Sequence, residues 1–122
     1  MTCHAALRTG EFERRLRRER REAYHALETT DAELASCERR RGGDFLDDAA
    51  TDTACRLLAT LEERDRRVLA DVDAAERRLS VGTFGVCEMC ARPIPYARLR
   101  AVPTTPLCVT CEFMAERMGG RR

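Results

Sequence analysis

Four cysteines in the last third of the chain have the type and spacing of metal ligands. They form two Cys-x-x-Cys pairs separated by seventeen residues, namely Cys87, Cys90, Cys108 and Cys111. Each pair can direct two thiolates toward one ion, and two pairs complete the tetrahedral shell that zinc prefers. Because this closed shell leaves no position for water or substrate, the pattern predicts one structural Zn²⁺.

Two other uses of four cysteines stay open from their spacing. Paired disulfides are common in small secreted proteins, and four thiolates also suit an iron–sulfur cluster. Charged residues interrupt the first thirty positions, where a signal peptide needs an apolar run, and no run has the length of a membrane span. We therefore expect a cytoplasmic protein without a membrane partner, in which reduced thiols favour zinc.

The composition requires metal and helix pairing to replace a large core. Of 122 residues, 43% are hydrophobic, but only 5% are aromatic and 35% are charged. A structural zinc can contribute roughly 10–16 kcal/mol to the folding of a small site. The net charge of +1 argues against binding of DNA by bulk charge, and no direct sequence-specific DNA binding is expected.

Two long segments without glycine or proline carry a heptad pattern. In the first, steps of four and three connect Leu16, Arg20, Ala23, Leu27, Thr30, Leu34 and Cys37. In the second, they connect Leu58, Leu61, Asp65, Val68, Val72, Ala75 and Leu79. This alternation is typical of a coiled coil. If the chain folds back near Gly42 and Gly43, one register pairs every layer, from Cys37 with Ala54 to Ala23 with Val68.

These patterns predict a mainly α fold, in which a long antiparallel helical hairpin precedes a small four-cysteine zinc finger with a C-terminal helix. Three regions follow: a mobile N-terminal segment at 1–11, a coiled-coil hairpin at 12–81 with its tip at 42–49, and the zinc finger with its helix at 82–122.

The predicted tip is acidic, with Asp44 and Asp47 preceding Ala49. Aspartates before a helix commonly act as N-caps and stabilise it by about 1 kcal/mol. Alternatively, a rigid hairpin could carry these carboxylates into a channel and act there on a metal ion or on basic side chains. The residues alone leave both interpretations open.

Three motifs together resemble the DksA/TraR family of bacterial RNA polymerase regulators. They are the tip Asp44-x-x-Asp47-x-Ala49, the stretch from Gly82 through Gly85 to Cys90, and the stretch from Arg98 through Pro103 to Cys111. The resemblance implies a transcription regulator whose hairpin enters the secondary channel of core or holoenzyme RNA polymerase. The tip residues would then modulate initiation near the active site, while the zinc module docks on the channel rim.

The chain departs from the family at one set of positions. Members that respond to guanosine tetraphosphate bind it with basic residues, and the aligned positions here are Asp71, Val102 and Glu112. None of these side chains can donate a hydrogen bond to a phosphate, and two would repel it. We expect a protein that acts as a monomer without this nucleotide.

Other classes of function have weaker support. A zinc deaminase needs a His-x-Glu motif, but neither His4 nor His25 is followed by glutamate at that spacing, so no enzyme is expected. The arginines between 14 and 21 alternate with glutamates at i,i+4, which is typical of a solvated helix face. The alternative is a zinc-ribbon module that binds nucleic acid or another protein and does not act on polymerase.

Cys37 and Cys55 form a candidate redox pair. Both fall near the predicted tip, opposite one another across the hairpin. A disulfide there would link the two arms under oxidative stress. Free cysteines are also common as small buried apolar residues in a reducing cytosol, so this second interpretation stays open.

Overall fold

Two long helices account for most of the described chain. The computed structural model describes residues 9–43 and 49–119. Helix α1 spans Thr9–Gly43 and α2 spans Ala49–Val81, and the shorter α3 and α4 span Tyr96–Ala101 and Val109–Arg117. The predicted mainly α fold is confirmed, and within the described residues the strand-like pairing is one isolated bridge between Val86 and Pro93.

The sequence of the long helices favours helix throughout. Arg66 contacts Glu62 at 2.9 Å and Arg67 contacts Glu63 at 3.4 Å, both at the i,i+4 spacing that supports a helix face. Helix α1 has Glu11 in its first turn and Arg40 and Arg41 in its last, which complements the helix dipole. Each exposed pair contributes little, so the helices depend mainly on packing.

The middle of the chain, residues 19–70, forms one compact unit from parts of both long helices. Ala23, Leu27 and Leu69 make its buried apolar cluster. The Thr30 hydroxyl donates to a carboxylate oxygen of Asp65 at 3.4 Å, so the polar residue predicted in the α2 seam has a partner on α1. The heptad positions of α1 in this unit are therefore those that pack inward.

The predicted seam of α2 is wrong at two positions. Cys55 and Leu69 are buried, whereas Ala54 is exposed and Val68 keeps 36% of its surface accessible. Cys37 consequently meets Cys55 and not Ala54. The predicted positions Val72 and Ala75, further along α2, are fully buried. At 3.6 residues per turn, a step of three and a step of four fit the helix in either order, so the heptad pattern does not fix which of two neighbouring residues faces α1.

The other compact unit joins the start of α1, as far as Arg18, with the chain from Asp71 onward. Phe12 lies at its centre, with ring centroids 5.0 Å from Phe84 and 5.9 Å from Tyr96. The buried cluster consists of Phe12, Leu16, Val72, Ala75, Phe84, Cys87, Ile94, Leu99 and Cys111. Two of the predicted metal ligands are thus part of an apolar core.

Some predicted features fall on residues without a description. Asp44 and Asp47 at the predicted tip, and residues 1–8 of the predicted N-terminal segment, lie outside the described residues. Ala49 is the first residue of α2 and is exposed. Across residues 9–43 and 49–119, no helix combines the length and apolar character needed to cross a membrane.

Candidate metal centre

The four predicted ligands come together in one cluster. Their sulfur atoms all lie within 4.8 Å of one another, and the sulfurs of Cys90 and Cys108 are 3.9 Å apart. With Zn–S bonds of about 2.3 Å, a tetrahedral site has S–S edges of about 3.8 Å. None of the four is in a disulfide, so the paired-disulfide interpretation is excluded. The arrangement fits one tetrahedral zinc ion.

A tight irregular turn positions the first pair. The Cys87 N–H donates to the Arg92 carbonyl at 2.8 Å, and the Ala91 N–H donates back to the Cys87 carbonyl at 2.9 Å. Ala91 has a φ of 64°, in the left-handed region that side chains other than glycine rarely adopt. The turn therefore accepts local strain to bring Cys87 and Cys90 onto one side of the chain.

Helix α4 positions the second pair. Cys108 is its N-cap residue, and its carbonyl accepts the first helical hydrogen bond, from the N–H of Glu112 at 2.9 Å. Cys111 follows in the first turn and is buried. The Glu88 N–H donates to the Pro106 carbonyl at 2.9 Å, which connects the chain beside one pair to the chain beside the other.

Two arginines hold the loops that carry the ligands, and the sequence analysis assigned neither of them this role. Arg98 donates through Nε to the Leu107 carbonyl at 2.9 Å and through Nη2 to the Thr105 hydroxyl at 3.1 Å. Arg78, largely buried, donates to the Thr104 carbonyl at 3.0 Å and pairs with Glu88 at 3.4 Å. Arg98 stood in the family motif, but nothing marked Arg78 among 22 basic residues.

The environments of the thiols differ within the cluster. Burial opposes ionisation of Cys87, but backbone N–H groups of Cys90, Cys108 and Met89 donate to its sulfur and lower its pKa to about 6. Burial, together with hydrogen bonding to Cys108, raises the pKa of the Cys111 thiol to about 12. Zinc ligands must be deprotonated, so metal binding releases the Cys111 proton and weakens as the pH falls.

The second predicted cysteine pair lies in the unit of residues 19–70. A disulfide joins Cys37 to Cys55, with Cα atoms 5.8 Å apart and both side chains buried. These two cysteines are therefore separate from the metal ligands, which all belong to the other unit. The remaining predicted site residues, Asp44 and Asp47, are outside the described chain.

The three positions aligned with nucleotide-binding residues share one cleft. It has a volume of about 370 Å³, and its lining includes Asp71, Val102, Glu112, Glu116 and Arg98. Arg98 is the one basic side chain in the lining, and it already donates to Leu107 and Thr105. With three carboxylates, the cleft has the wrong charge for a phosphorylated nucleotide.

Comparison with known proteins gives matches in sequence. Residues 82–117 match the family described as the prokaryotic dksA/traR C4-type zinc finger. An uncharacterised protein of Aquifex aeolicus is 32% identical over 99 residues, which cover 81% of this chain and 68% of that protein. The RNA polymerase-binding transcription factor DksA of Caulobacter vibrioides is 34% identical over 80 residues, covering 66% of this chain.

The fold also has a solved counterpart. The structure of transcription factor DksA2 from Pseudomonas aeruginosa matches 94% of this chain and 88% of its own, with a TM-score of 0.80 and 29% identity. In sequence, the match to Caulobacter DksA spans only 56% of that protein, little more than half of its length. The four-cysteine zinc centre, the family match around it and the fold agree, and the chain belongs to the DksA/TraR family.

Proposed function

We propose that this protein is a transcription regulator that binds RNA polymerase through the secondary channel. The observation that carries the proposal is the match to DksA2 over 94% of the chain, because it covers both the long helices and the zinc module. The name of the Caulobacter relative, an RNA polymerase-binding transcription factor, supports the choice of partner. On this proposal the protein acts as a cytoplasmic monomer on core enzyme or holoenzyme and catalyses no reaction itself.

The long helices suit a probe that reaches into a channel. At about 1.5 Å per residue, the 35 residues of α1 and the 33 residues of α2 each span on the order of 50 Å. We propose that the turn between them presents Asp44, Asp47 and Ala49 near the polymerase active site. Two carboxylates in such a confined place would act strongly on a metal ion or on basic side chains, because screening by water is weak there.

The zinc module supplies a surface for the channel rim. Helix α4 and the residue after it expose Val109, Phe113, Met114 and Met118, each at least half accessible. The guanidinium of Arg117 lies 5.7 Å from the Phe113 ring centroid. Exposed apolar residues beside arginine are typical of protein interfaces. We propose that this face of α4 contacts polymerase, while the acidic cleft beside Asp71 makes the action independent of guanosine tetraphosphate.

The tip is tested by a substitution that removes the negative charges of Asp44 and Asp47 and keeps their ability to cap a helix. Asparagine caps a helix about as well as aspartate. The double variant Asp44→Asn, Asp47→Asn should therefore keep its helicity and its affinity for polymerase within about twofold, yet lose its effect on initiation at sensitive promoters. Circular dichroism, polymerase affinity and abortive initiation are measured on the same preparation. Glu63→Gln is the control for loss of an acidic charge, because Glu63 is exposed and its partner Arg67 lies in the same helix.

The outcomes separate three roles of the tip. Transcription control that survives in the double variant would make Asp44 and Asp47 helix caps only. Loss of polymerase binding together with control would make the tip an affinity element. Failure of the unaltered protein to capture polymerase would favour the alternative, a zinc-ribbon module that binds nucleic acid or another protein.

A further inference from the structure

The backbone around Cys37 and Cys55 accommodates the disulfide and also offers an acceptor to the reduced Cys37 thiol. The Cα separation of 5.8 Å is within the usual range for a disulfide. The sulfur of Cys37 is also 3.7 Å from the carbonyl oxygen of Thr51, at the start of α2. After reduction, the Cys37 thiol therefore has an acceptor for its S–H in the same backbone arrangement. Reduction therefore does not leave the buried Cys37 thiol without an acceptor.

Few other side chains join the two helices near this disulfide. Among the side chains described in 31–41 and 49–64, Cys37 and Cys55 are the only fully buried ones. The apolar cluster of Ala23, Leu27 and Leu69 belongs to the far side of the Thr30–Asp65 hydrogen bond along the helices. Besides the exposed ion pair of Arg41 with Asp52 at 3.6 Å, which contributes little, the disulfide is thus the main described link between α1 and α2 in this part of the chain.

The segment closed by this bond contains the proposed tip. The two cysteines are 18 positions apart in sequence, and Asp44, Asp47 and Ala49 lie between them. A link across so short a segment restricts the freedom of everything inside it. Where few side chains are buried, the helices also open locally at low cost, which gives reagents access to the thiols.

We propose that Cys37 and Cys55 form a reversible redox switch that controls how firmly the tip is held. The oxidant is a peroxide. One thiolate attacks a peroxide oxygen, the O–O bond breaks, water leaves after protonation, and a sulfenic acid forms. The second thiol attacks that sulfur, the S–S bond forms, and the hydroxyl leaves as a second water. Two thiols thus reduce one peroxide to two waters, and a small dithiol reverses the change by thiol–disulfide exchange.

The effect on transcription rests on the proposed function. In the oxidised protein α1 stays linked to α2 through Cys37 and Cys55, so the protein loses less conformational entropy on binding. We therefore expect the oxidised form to reach half of its full effect on initiation at a concentration several-fold lower than the reduced form. Reduction weakens the effect without removing the carboxylates.

The chemical test uses full-length protein carrying Cys3→Ser, so that six cysteines remain. Hydrogen peroxide should make the chain two hydrogen atoms lighter by mass spectrometry, link the peptides of Cys37 and Cys55, and leave the zinc bound. The melting temperature should rise on the order of 10 °C and return after dithiothreitol. Two double variants serve as controls, Cys37→Ser with Cys55→Ser and Cys37→Ala with Cys55→Ala, so that a folding defect in one does not decide the result.

Each outcome supports or overturns the switch. Peroxide shifts that persist in both double variants, or zinc release before the pair is linked, would place the redox chemistry at the metal centre and overturn the proposal. A disulfide that forms without changing the transcription effect would overturn the control of the tip, while loss of that effect in Asp44→Asn, Asp47→Asn would leave the proposed function standing. If that acidic double variant kept full control, the proposed function would fail, and the thiol chemistry would still be decided by mass.

Discussion

Arg98 shows how a residue distant from the metal fixes the metal site. Its guanidinium donates to the carbonyl of Leu107, the residue directly before the ligand Cys108, and to the hydroxyl of Thr105. Because a guanidinium has several donors in a rigid plane, it fixes two points of the loop at once. Arg98 therefore supports the shape of the loop that leads into Cys108.

At this scale the first prediction concerns zinc. Purified protein should hold one zinc per chain, and Cys87→Ser or Cys108→Ser should lose it and unfold the module, because Cys87 is also part of the apolar core and binding energy contributes to folding. Elemental analysis and thermal melting measure both effects. Cys37→Ser, outside the centre, should keep its zinc. Iron in place of zinc would contradict the assignment.

The sequence identified the ligands but not their support, and the reason is physical. Cys-x-x-Cys spacing reports directly on how two thiolates face one ion, so all four ligands could be predicted. Arg78 and Arg98 act through tertiary contacts within irregular loops, which no helical or metal-ligand spacing encodes. Likewise, the register of the predicted hairpin placed Cys37 and Cys55 near one another, but their bonding depends on the local packing.

Two acidic side chains, Asp31 of α1 and Glu62 of α2, contact each other where the helices pair. This contact is unfavourable when both carboxyl groups are ionised. One carboxylate oxygen of Asp31 is buried with no hydrogen-bond partner among the described residues, and the other lies 3.9 Å from Arg66. A hydrogen bond with Glu62 raises the pKa of Asp31, while the hydrogen bond from Arg66 lowers the pKa of Glu62. A hydrogen bond between two carboxyl groups requires a proton, so this contact forms only when one of the two is protonated.

The sign of the pH dependence follows for each group. Asp31 binds its proton more tightly in the folded state, so its contribution to stability is present at low pH and is lost as the pH rises through its folded pKa. Glu62 behaves in the opposite way, and its contribution is lost as the pH falls through its folded pKa. Near neutral pH, Asp31 therefore opposes the pairing of the helices.

Asp31→Asn should relieve this conflict, because the amide supplies a permanent N–H donor to Glu62. The melting temperature should rise at pH 7, and the gain should be smaller at pH 4, because the raised pKa of Asp31 lets this residue of the unaltered protein take up a proton as the pH falls. Glu33→Gln on the exposed face of α1 is the matched control. An equal gain at both pH values would indicate a general effect of removing charge.

The heptad pattern predicted the buried face of α1 correctly and that of α2 with two positions wrong. Ala23, Leu27, Thr30 and Cys37 pack as the pattern predicts. On α2, Leu69 is buried where Val68 was expected, because steps of three and four residues fit a helix in either order and the pattern does not fix which of two neighbours faces inward. Secondary structure is thus well determined by the sequence, and the register between helices less so.

For the whole protein acting on polymerase, we propose that the charge of the cleft lined by Asp71 and Glu112 makes its action independent of guanosine tetraphosphate. Guanosine tetraphosphate should not strengthen the effect on a polymerase whose own nucleotide site has been inactivated, because carboxylates repel phosphates. A transcription assay with and without the nucleotide measures this. Asp71→Asn with Glu112→Gln removes the repulsion and is the comparison. A several-fold gain with the unaltered protein would contradict the assignment of this cleft.

One compact unit is a continuous stretch of chain, and the other joins two separate stretches. This difference sets an order for their formation during synthesis. Residues 19–70 are continuous, so both of their helices leave the ribosome early and pair at once. The core around Phe12 and Leu16 is closed by Leu99 and Cys111, which are made much later. Until then the apolar residues at the start of α1 lack the part of the core that Leu99 and Cys111 supply. Arrival of Cys111, and of zinc, completes a core to which the much earlier residues Phe12 and Leu16 belong.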